Sequence, residues 1–149
     1  MKHNFLLNPP LFVFLTLAAI ILLYFFVPEY NMIPFPQNLG GLLVSAIGIY
    51  IMNKTYKQFR KHETGLSIQE SKAMITTGIF SKTRNPMYLG MISFLEGIAL
   101  CSTNLFSLLV PFVFWLYLAV FVVPREEKLM EKVFGDKYLD YKNLVPRWI

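Results

Sequence analysis

Residues 84–129 read RNPMYLGMISFLEGIALCSTNLFSLLVPFVFWLYLAVFVVPREEKL. Two apolar runs are separated by only Ser102-Thr103-Asn104, and charge brackets them: Arg84 and Asn85 before the first, Arg125, Glu126 and Glu127 after the second. A connection that short predicts an antiparallel helical hairpin over residues 86–103 and 105–123. Its two polar ends then return to the same level. Pro86 suits the first helical position and Asn85 precedes it in a more extended conformation, which places Tyr88 just inside the apolar run.

Outward from the hairpin, residues 11–27 and 37–56 form two more apolar runs. A helix crosses a bilayer with about 20 mostly apolar residues, and the chain of 149 residues is 55% hydrophobic and 16% aromatic. That is more apolar than an ordinary soluble domain. The second and third runs reach the needed length only by taking a turn from their flanks. The expected fold is an all-α integral membrane protein, one domain over residues 1–149: four transmembrane helices, a cytoplasmic loop over 57–85 and an amphipathic helical tail over 124–149. The first run follows Lys2 and His3, as a secretory signal would, but no small-residue cleavage site follows it and Pro28-Glu29-Tyr30 fits one poorly.

Charge orients the chain. Of the 14 basic residues, Lys2 precedes the first run, seven fall between Lys54 and Arg84, and six between Arg125 and Arg147; residues 28–38 and 102–104 hold none. The positive-inside rule puts both termini and the middle loop in the cytoplasm, in a multi-pass arrangement. The net charge of +5 is thereby explained by topology and by membrane lipids with anionic headgroups, and calls for no nucleic acid. Cys101 is the one cysteine, so no internal disulfide forms. With His3 and His62 read as solvated loop residues, no metal site is expected.

Chemistry should sit in the loop and tail. Ser67 and Glu70 make a capping box that predicts a short helix to about Thr76, with Gly78 able to stop it. In the tail, Leu129, Met130, Val133 and Phe134 form an apolar stripe ended by Gly135, and a second short helix carries Tyr138, Tyr141 and Leu144 on one face. The tail lies on the membrane or folds over the loop. Gly41, Ser45 and Gly48 give the second helix a small-residue face for a neighbouring helix, and Pro111 is expected to kink the fourth. Arg84 and Tyr88 alone fit interfacial anchors. Glu126 and Glu127 at the same level turn the place into a set of carboxylates, a guanidinium, an amide and a phenol, suited to a polar, partly cationic small molecule. Glu96, ionisable within the third run, either faces a functional path or is protonated and bonded to a neighbouring helix.

Arg-Asn-Pro-Met-Tyr-Leu-Gly followed, one hairpin later, by Glu-Glu-Lys-Leu-x-x-x-x-Phe-Gly-x-x-Tyr-x-x-Tyr resembles the isoprenylcysteine carboxyl methyltransferase and phospholipid methyltransferase superfamily over residues 72–145. Either motif alone is weak; together at this spacing they are specific. The resemblance implies S-adenosylmethionine as cofactor, held at the cytoplasmic end of the bundle by Lys72, Ala73, Met74, Ile75, Phe80, Asn85, Pro86, Met87, Tyr88 and Glu126. Within that resemblance Glu127 and Arg84 are the expected catalytic residues, and Arg125 and Glu96 the expected substrate residues. Aromatic faces favour a sulfonium cation, and a carboxylate accepts from ribose hydroxyls or an ammonium group. The implied activity is methyl transfer to a lipophilic or membrane-borne acceptor. Asn85 stands where the family usually has histidine, and Val122 where the isoprenylcysteine branch has an arginine, with Arg125 near but shifted. The competing readings are an NADPH-dependent membrane reductase of the sterol reductase type and a non-catalytic membrane scaffold.

Overall fold

The computed structural model describes residues 9–62 and 74–149. Its helices are α1 (Pro9–Phe26), α2 (Gly40–Lys61), α3 (Pro86–Cys101), α4 (Leu109–Tyr117), α5 (Val123–Phe134) and α6 (Asp136–Leu144). Short 3-10 turns occupy Pro28–Tyr30, Gln37–Leu39, Gly78–Ser81 and Leu105–Leu108, and a π-helical segment, Leu118–Val122, joins α4 to α5. Among the described residues there is no strand, only an isolated bridge between Asn31 and Asn104.

α2 packs chiefly on α3, and glycine makes the approach possible. A Cβ at Gly48 would lie 2.5 Å from the Phe94 amide nitrogen and 2.7 Å from the Gly90 carbonyl oxygen; one at Gly41 would meet the Gly97 carbonyl, and one at Gly97 would meet Ser45 Oγ and the Gly41 carbonyl. Ser45 Oγ donates to the Phe94 carbonyl at 3.2 Å. The small-residue face read on the second helix therefore has its partner in α3, whose Gly90 and Gly97 complete it. In this antiparallel register Gly90 abuts Met52, so the charged last turns of α2 run on past the start of α3.

On its other side α3 meets α1 and α4. Leu95, Phe114, Leu118 and Val122 are buried there with Phe12, Val13 and Leu17 of α1 against them. At the far end from Arg84, Asn104 is fully buried. Its Nδ2 donates to Leu23 O, Val27 O and Asn31 Oδ1, while its Oδ1 accepts from the Phe106 and Ser107 amides. One side chain thus ties the end of α1 to the start of the Leu105–Leu108 turn. The sequence reading saw only a tight turn here.

Two helical runs, Pro9–Phe26 and Leu105–Phe134, are long and apolar enough to cross a membrane; Pro86–Cys101 is apolar but shorter. α2 has 22 residues, but Lys54, Lys57, Arg60 and Lys61 charge its last turns. Phe14, Phe25 and Phe26 of α1, Leu42 and Leu43 of α2, and Val113 and Val120 of the α4 run stand exposed, an outer surface suited to lipid and not to water. Pro111 falls in the first turn of α4, at the junction with the 3-10 turn and not in the middle of the crossing.

The boundary expected between the fourth helix and the tail, at residues 123 and 124, is not a break: helical residues run from Leu105 to Phe134, with Pro124 in the first turn of α5. Proline lacks an N–H and crowds the carbonyl four residues earlier, and the wider π turn directly before it takes up that conflict. Gly135 does end α5, at φ 56° and ψ −133°, a conformation that essentially only glycine adopts. Tyr138 and Tyr141 of α6 and Val145, the extended residue that caps it, are buried together with Met74, Met130 and Phe134 packed on them. Leu144, expected on one face with the two tyrosines, is 83% exposed, because the 3.6-residue period brings Val145 round and not its neighbour. The Ser67–Glu70 capping box lies outside the described residues, and Met74–Thr76 is irregular, so helix does not extend to Thr76. His62 is the half-buried C-cap residue of α2, where its backbone N–H donates to Gln58 O at 3.1 Å, and not a fully solvated loop residue. Of the two dispositions expected for the tail, folding over the loop is the one adopted.

Candidate functional site

The start of α3 and the start of α5 meet at one end of the bundle. Tyr88 lies on the first turn of α3, on the side facing α4 and α5, and its hydroxyl donates to Glu126 Oε1 at 2.6 Å. That length is typical of an O–H bonded to a carboxylate. The two polar motifs, 38 residues apart in sequence, are joined by this bond. Pro86 is buried, and its neighbours Asn85 and Met87 are half-buried.

One residue further along α5, Glu127 turns to a different set of partners. It is 6% exposed. Arg84 Nη1 approaches its Oε1 at 3.0 Å, and Arg147 grips both oxygens, Nε to Oε1 at 2.9 Å and Nη2 to Oε2 at 2.7 Å. A bidentate guanidinium–carboxylate contact fixes orientation as well as charge. The hydrogen bond to Glu127 raises the already high pKa of Arg147. Two guanidiniums against one carboxylate leave a local charge of one positive unit. Arg84 Nη1 also donates to the Tyr138 hydroxyl at 3.3 Å, while Arg84 Nε is buried without an acceptor among the described residues.

The remaining wall comes from the loop and α6. Phe80 is 9% exposed and meets Phe59 of α2 edge-on at 5.6 Å. Its carbonyl accepts from the Tyr141 hydroxyl at 2.6 Å. Burial pushes the Tyr138 phenol above its ordinary range, the Glu127 charge adds to that and Arg84 opposes it. Burial also raises Tyr141, with Tyr138 adding to the shift. Both phenols therefore stay protonated at neutral pH. Ile75 is buried and Met74 lies against the α6 cluster.

Of the residues singled out in the sequence, Met74, Ile75, Phe80, Arg84, Asn85, Pro86, Met87, Tyr88, Glu126 and Glu127 all gather at this end. Lys72 and Ala73 lie outside the described residues. Arg125 is exposed, on the side of α5 roughly opposite Glu127 by helical geometry. Glu96 is half-exposed in α3, about two turns from Tyr88, and bonds to none of the site residues. The sequence reading missed Thr83 and Arg147. Thr83 is 1% exposed and donates from Oγ1 to the Arg147 carbonyl at 3.0 Å, as does Asn85 Nδ2. The available signal was Val145-Pro146-Arg147-Trp148: apolar and aromatic residues after the last amphipathic helix that need a place to be buried.

The chain is 27% identical over 122 residues to the Protein-S-isoprenylcysteine O-methyltransferase of Saccharomyces cerevisiae, covering 74% of this chain and 51% of that protein. It spans about half the length of the yeast relative. An uncharacterized protein of Haemophilus influenzae is 36% identical over 63 residues, 42% of this chain and 100% of that protein. The profile of the phospholipid methyltransferase family matches residues 36–137, from the turn before α2 into α6. With that match over more than half of its length, taking in the Arg84–Gly90 motif and the second motif as far as Lys137, the chain belongs to the phospholipid methyltransferase family.

Proposed function

We propose that this membrane protein is an S-adenosylmethionine-dependent methyltransferase acting on a lipophilic or membrane-borne acceptor. The observation that carries the reading is the Tyr88–Glu126 bond, which joins directly two motifs that the sequence brings only to the same level. Family membership points to methyl transfer, and the yeast relative is by its name an O-methyltransferase.

The residues present fit the cofactor. S-adenosylmethionine offers a sulfonium and an ammonium, an adenine ring and hydroxyl donors. Against these the chain has a Glu126 carboxylate whose Oε1 alone is bonded to Tyr88, aromatic rings at Phe80 and Tyr88, and an Asn85 amide. Carboxylate and π faces attract cations. Bound there, the cofactor would supply a methyl group activated by the positive sulfur. Asn85, Tyr88 and Glu126 would hold its polar end and Phe80 its base, with Met74, Ile75, Pro86 and Met87 shaping the apolar floor. Arg84 and Glu127, the residues expected to be catalytic, are bonded to each other. Glu127 has both oxygens occupied by guanidiniums, so its part in this reading is to fix the wall and not to abstract a proton.

In the same reading the chain crosses the bilayer four times, with the site at the cytoplasmic boundary. The concentration of Lys and Arg at that end supports this orientation. The exposed apolar faces of α1, α2 and α4 support entry of an acceptor from the lipid side.

The test is equilibrium binding of S-adenosylmethionine, S-adenosylhomocysteine and NADPH to the detergent-solubilised protein. The expected outcome is saturable micromolar binding of the first two, lost in Glu126→Ala, and none of NADPH. Absence of saturable binding by the wild-type protein would overturn the reading.

A further inference from the structure

Residues 145–148 follow α6 and turn back across the start of α3. Val145 is buried with Tyr138 and Tyr141. The Pro146 carbonyl accepts from the Arg84 amide at 3.0 Å, and the Arg147 carbonyl accepts from both Thr83 Oγ1 and Asn85 Nδ2 at 3.0 Å. The Arg147 side chain holds Glu127 through two bonds. Trp148 then packs against the Leu95–Phe114–Leu118–Val122 cluster, its ring 6.3 Å from that of Trp115. This strap touches both motifs, yet it lies beyond the stretch that the family profile matches.

We infer that Arg147 is a positioning residue of the cofactor site, acting through Asn85 and Glu127; the inference rests on the methyltransferase reading. Its carbonyl decides how the Asn85 amide lies. A carbonyl oxygen only accepts, so Asn85 must present its NH2 to the strap. The Asn85 carbonyl oxygen is then the group left for a ligand, and the site offers an acceptor to a cationic or N–H-bearing partner. Released from the strap, the amide is free to turn either way.

The guanidinium sets the second half of the geometry. Glu126 and Glu127 are adjacent on one helical turn, and only one of them bonds to Tyr88. By gripping both Glu127 oxygens, Arg147 fixes the rotation of the first turn of α5 and so holds Glu126 toward Tyr88. With Arg84 already paired to Glu127, it also brings the net positive charge beside the site. Loss of Arg147 leaves Arg84 still paired with Glu127, so no buried carboxylate is stranded and the variant is expected to fold. Half-exposed ion pairs add little to stability, and a merely structural role for Arg147 predicts a small loss of stability with ligand affinity intact.

The experiment measures S-adenosylhomocysteine affinity of the full-length protein in detergent for wild type, Arg147→Ala, Arg147→Lys and Thr83→Val. Hydrogen exchange of the 145–149 amides is followed with and without the ligand. The expected result is a loss of about tenfold or more in Arg147→Ala, partial rescue in Arg147→Lys, which keeps the charge but not the fork, and a smaller loss in Thr83→Val. Reciprocity of coupling requires that the ligand slow exchange in the strap in wild type. Wild-type affinity in all three variants, with exchange unmoved by ligand, overturns the inference and leaves the methyltransferase reading standing. Should Arg147→Ala not fold, unchanged affinity in Arg147→Lys and Thr83→Val does the same. Failure of the wild type itself to bind S-adenosylhomocysteine is a different result: it overturns the methyltransferase reading and, with it, this inference.

Discussion

Tyr88 and Glu126 form a short bond between two half-buried groups, and such a pair should behave as a unit. A hydrogen bond to a charged partner contributes about 1.5–3 kcal/mol, so Tyr88→Phe is expected to weaken S-adenosylhomocysteine binding by about tenfold or more. Glu126→Gln should do similar damage. If each acts through the other, the double variant loses much less than the two single losses combined, since residues in one network are not additive. Additive losses in that cycle would mean that the two side chains contact the ligand independently. At this scale the sequence was readable wherever a residue sat in a motif: Tyr88, Glu126, Asn85 and Arg84 were all named, and all stand at one end of the bundle, Tyr88 bonded to Glu126, Arg84 to Glu127 and Asn85 to the Arg147 carbonyl. Arg147 was counted only as a charge, because the apolar and aromatic residues around it signal a buried segment but not which groups that segment reaches. Its importance comes from a carbonyl and a side chain that reach residues more than 60 positions and 20 positions away.

Between α2 and α3 the contact is backbone on backbone, and the added Cβ positions separate tolerant glycines from intolerant ones. Gly97→Ala would push a methyl group into Ser45 Oγ and the Gly41 carbonyl, whereas a Cβ at Gly40 meets nothing within 4 Å. Overpacking of this kind costs about 1–3 kcal/mol. Gly97→Ala should therefore lower the melting temperature of the solubilised protein, and Gly40→Ala should leave it near that of wild type. Equal melting temperatures for the two variants would refute so tight an α2–α3 approach. The small face of α2 was legible from its spacing of four and three, but its partner was not, since Gly90 and Gly97 are separated by seven residues on a helix that otherwise reads as plain apolar. The continuity through Pro124 was likewise hidden. A proline after an apolar run signals a new helix start, and only the π segment before it shows how the same helix carries on.

For the whole molecule, length and charge pull in different directions. α3, with 16 residues, rises about 24 Å, less than the roughly 30 Å of a hydrocarbon core. The apolar part of α2, Gly40–Met52, is shorter still. Both are nevertheless held side by side in the bundle, their polar ends at the level of the candidate site, where a local thinning of the bilayer or the snorkelling of Lys and Arg can absorb the mismatch. Composition and charge asymmetry are what led to the four-crossing proposal, while among the described residues only α1 and the Leu105–Phe134 run are long and apolar enough to cross. Orientation is then open to direct measurement. In a Cys101→Ala background, cysteine placed at Met32, which is 65% exposed between α1 and α2, should react with a membrane-impermeant maleimide from the outer side of intact cells. Cysteine placed at Lys82 or at Lys137, both exposed, should react only after permeabilisation. Labelling of the Met32 and Lys82 positions from the same side would remove α2 as a crossing and require the site to be reached across a shorter, two-span or three-span arrangement.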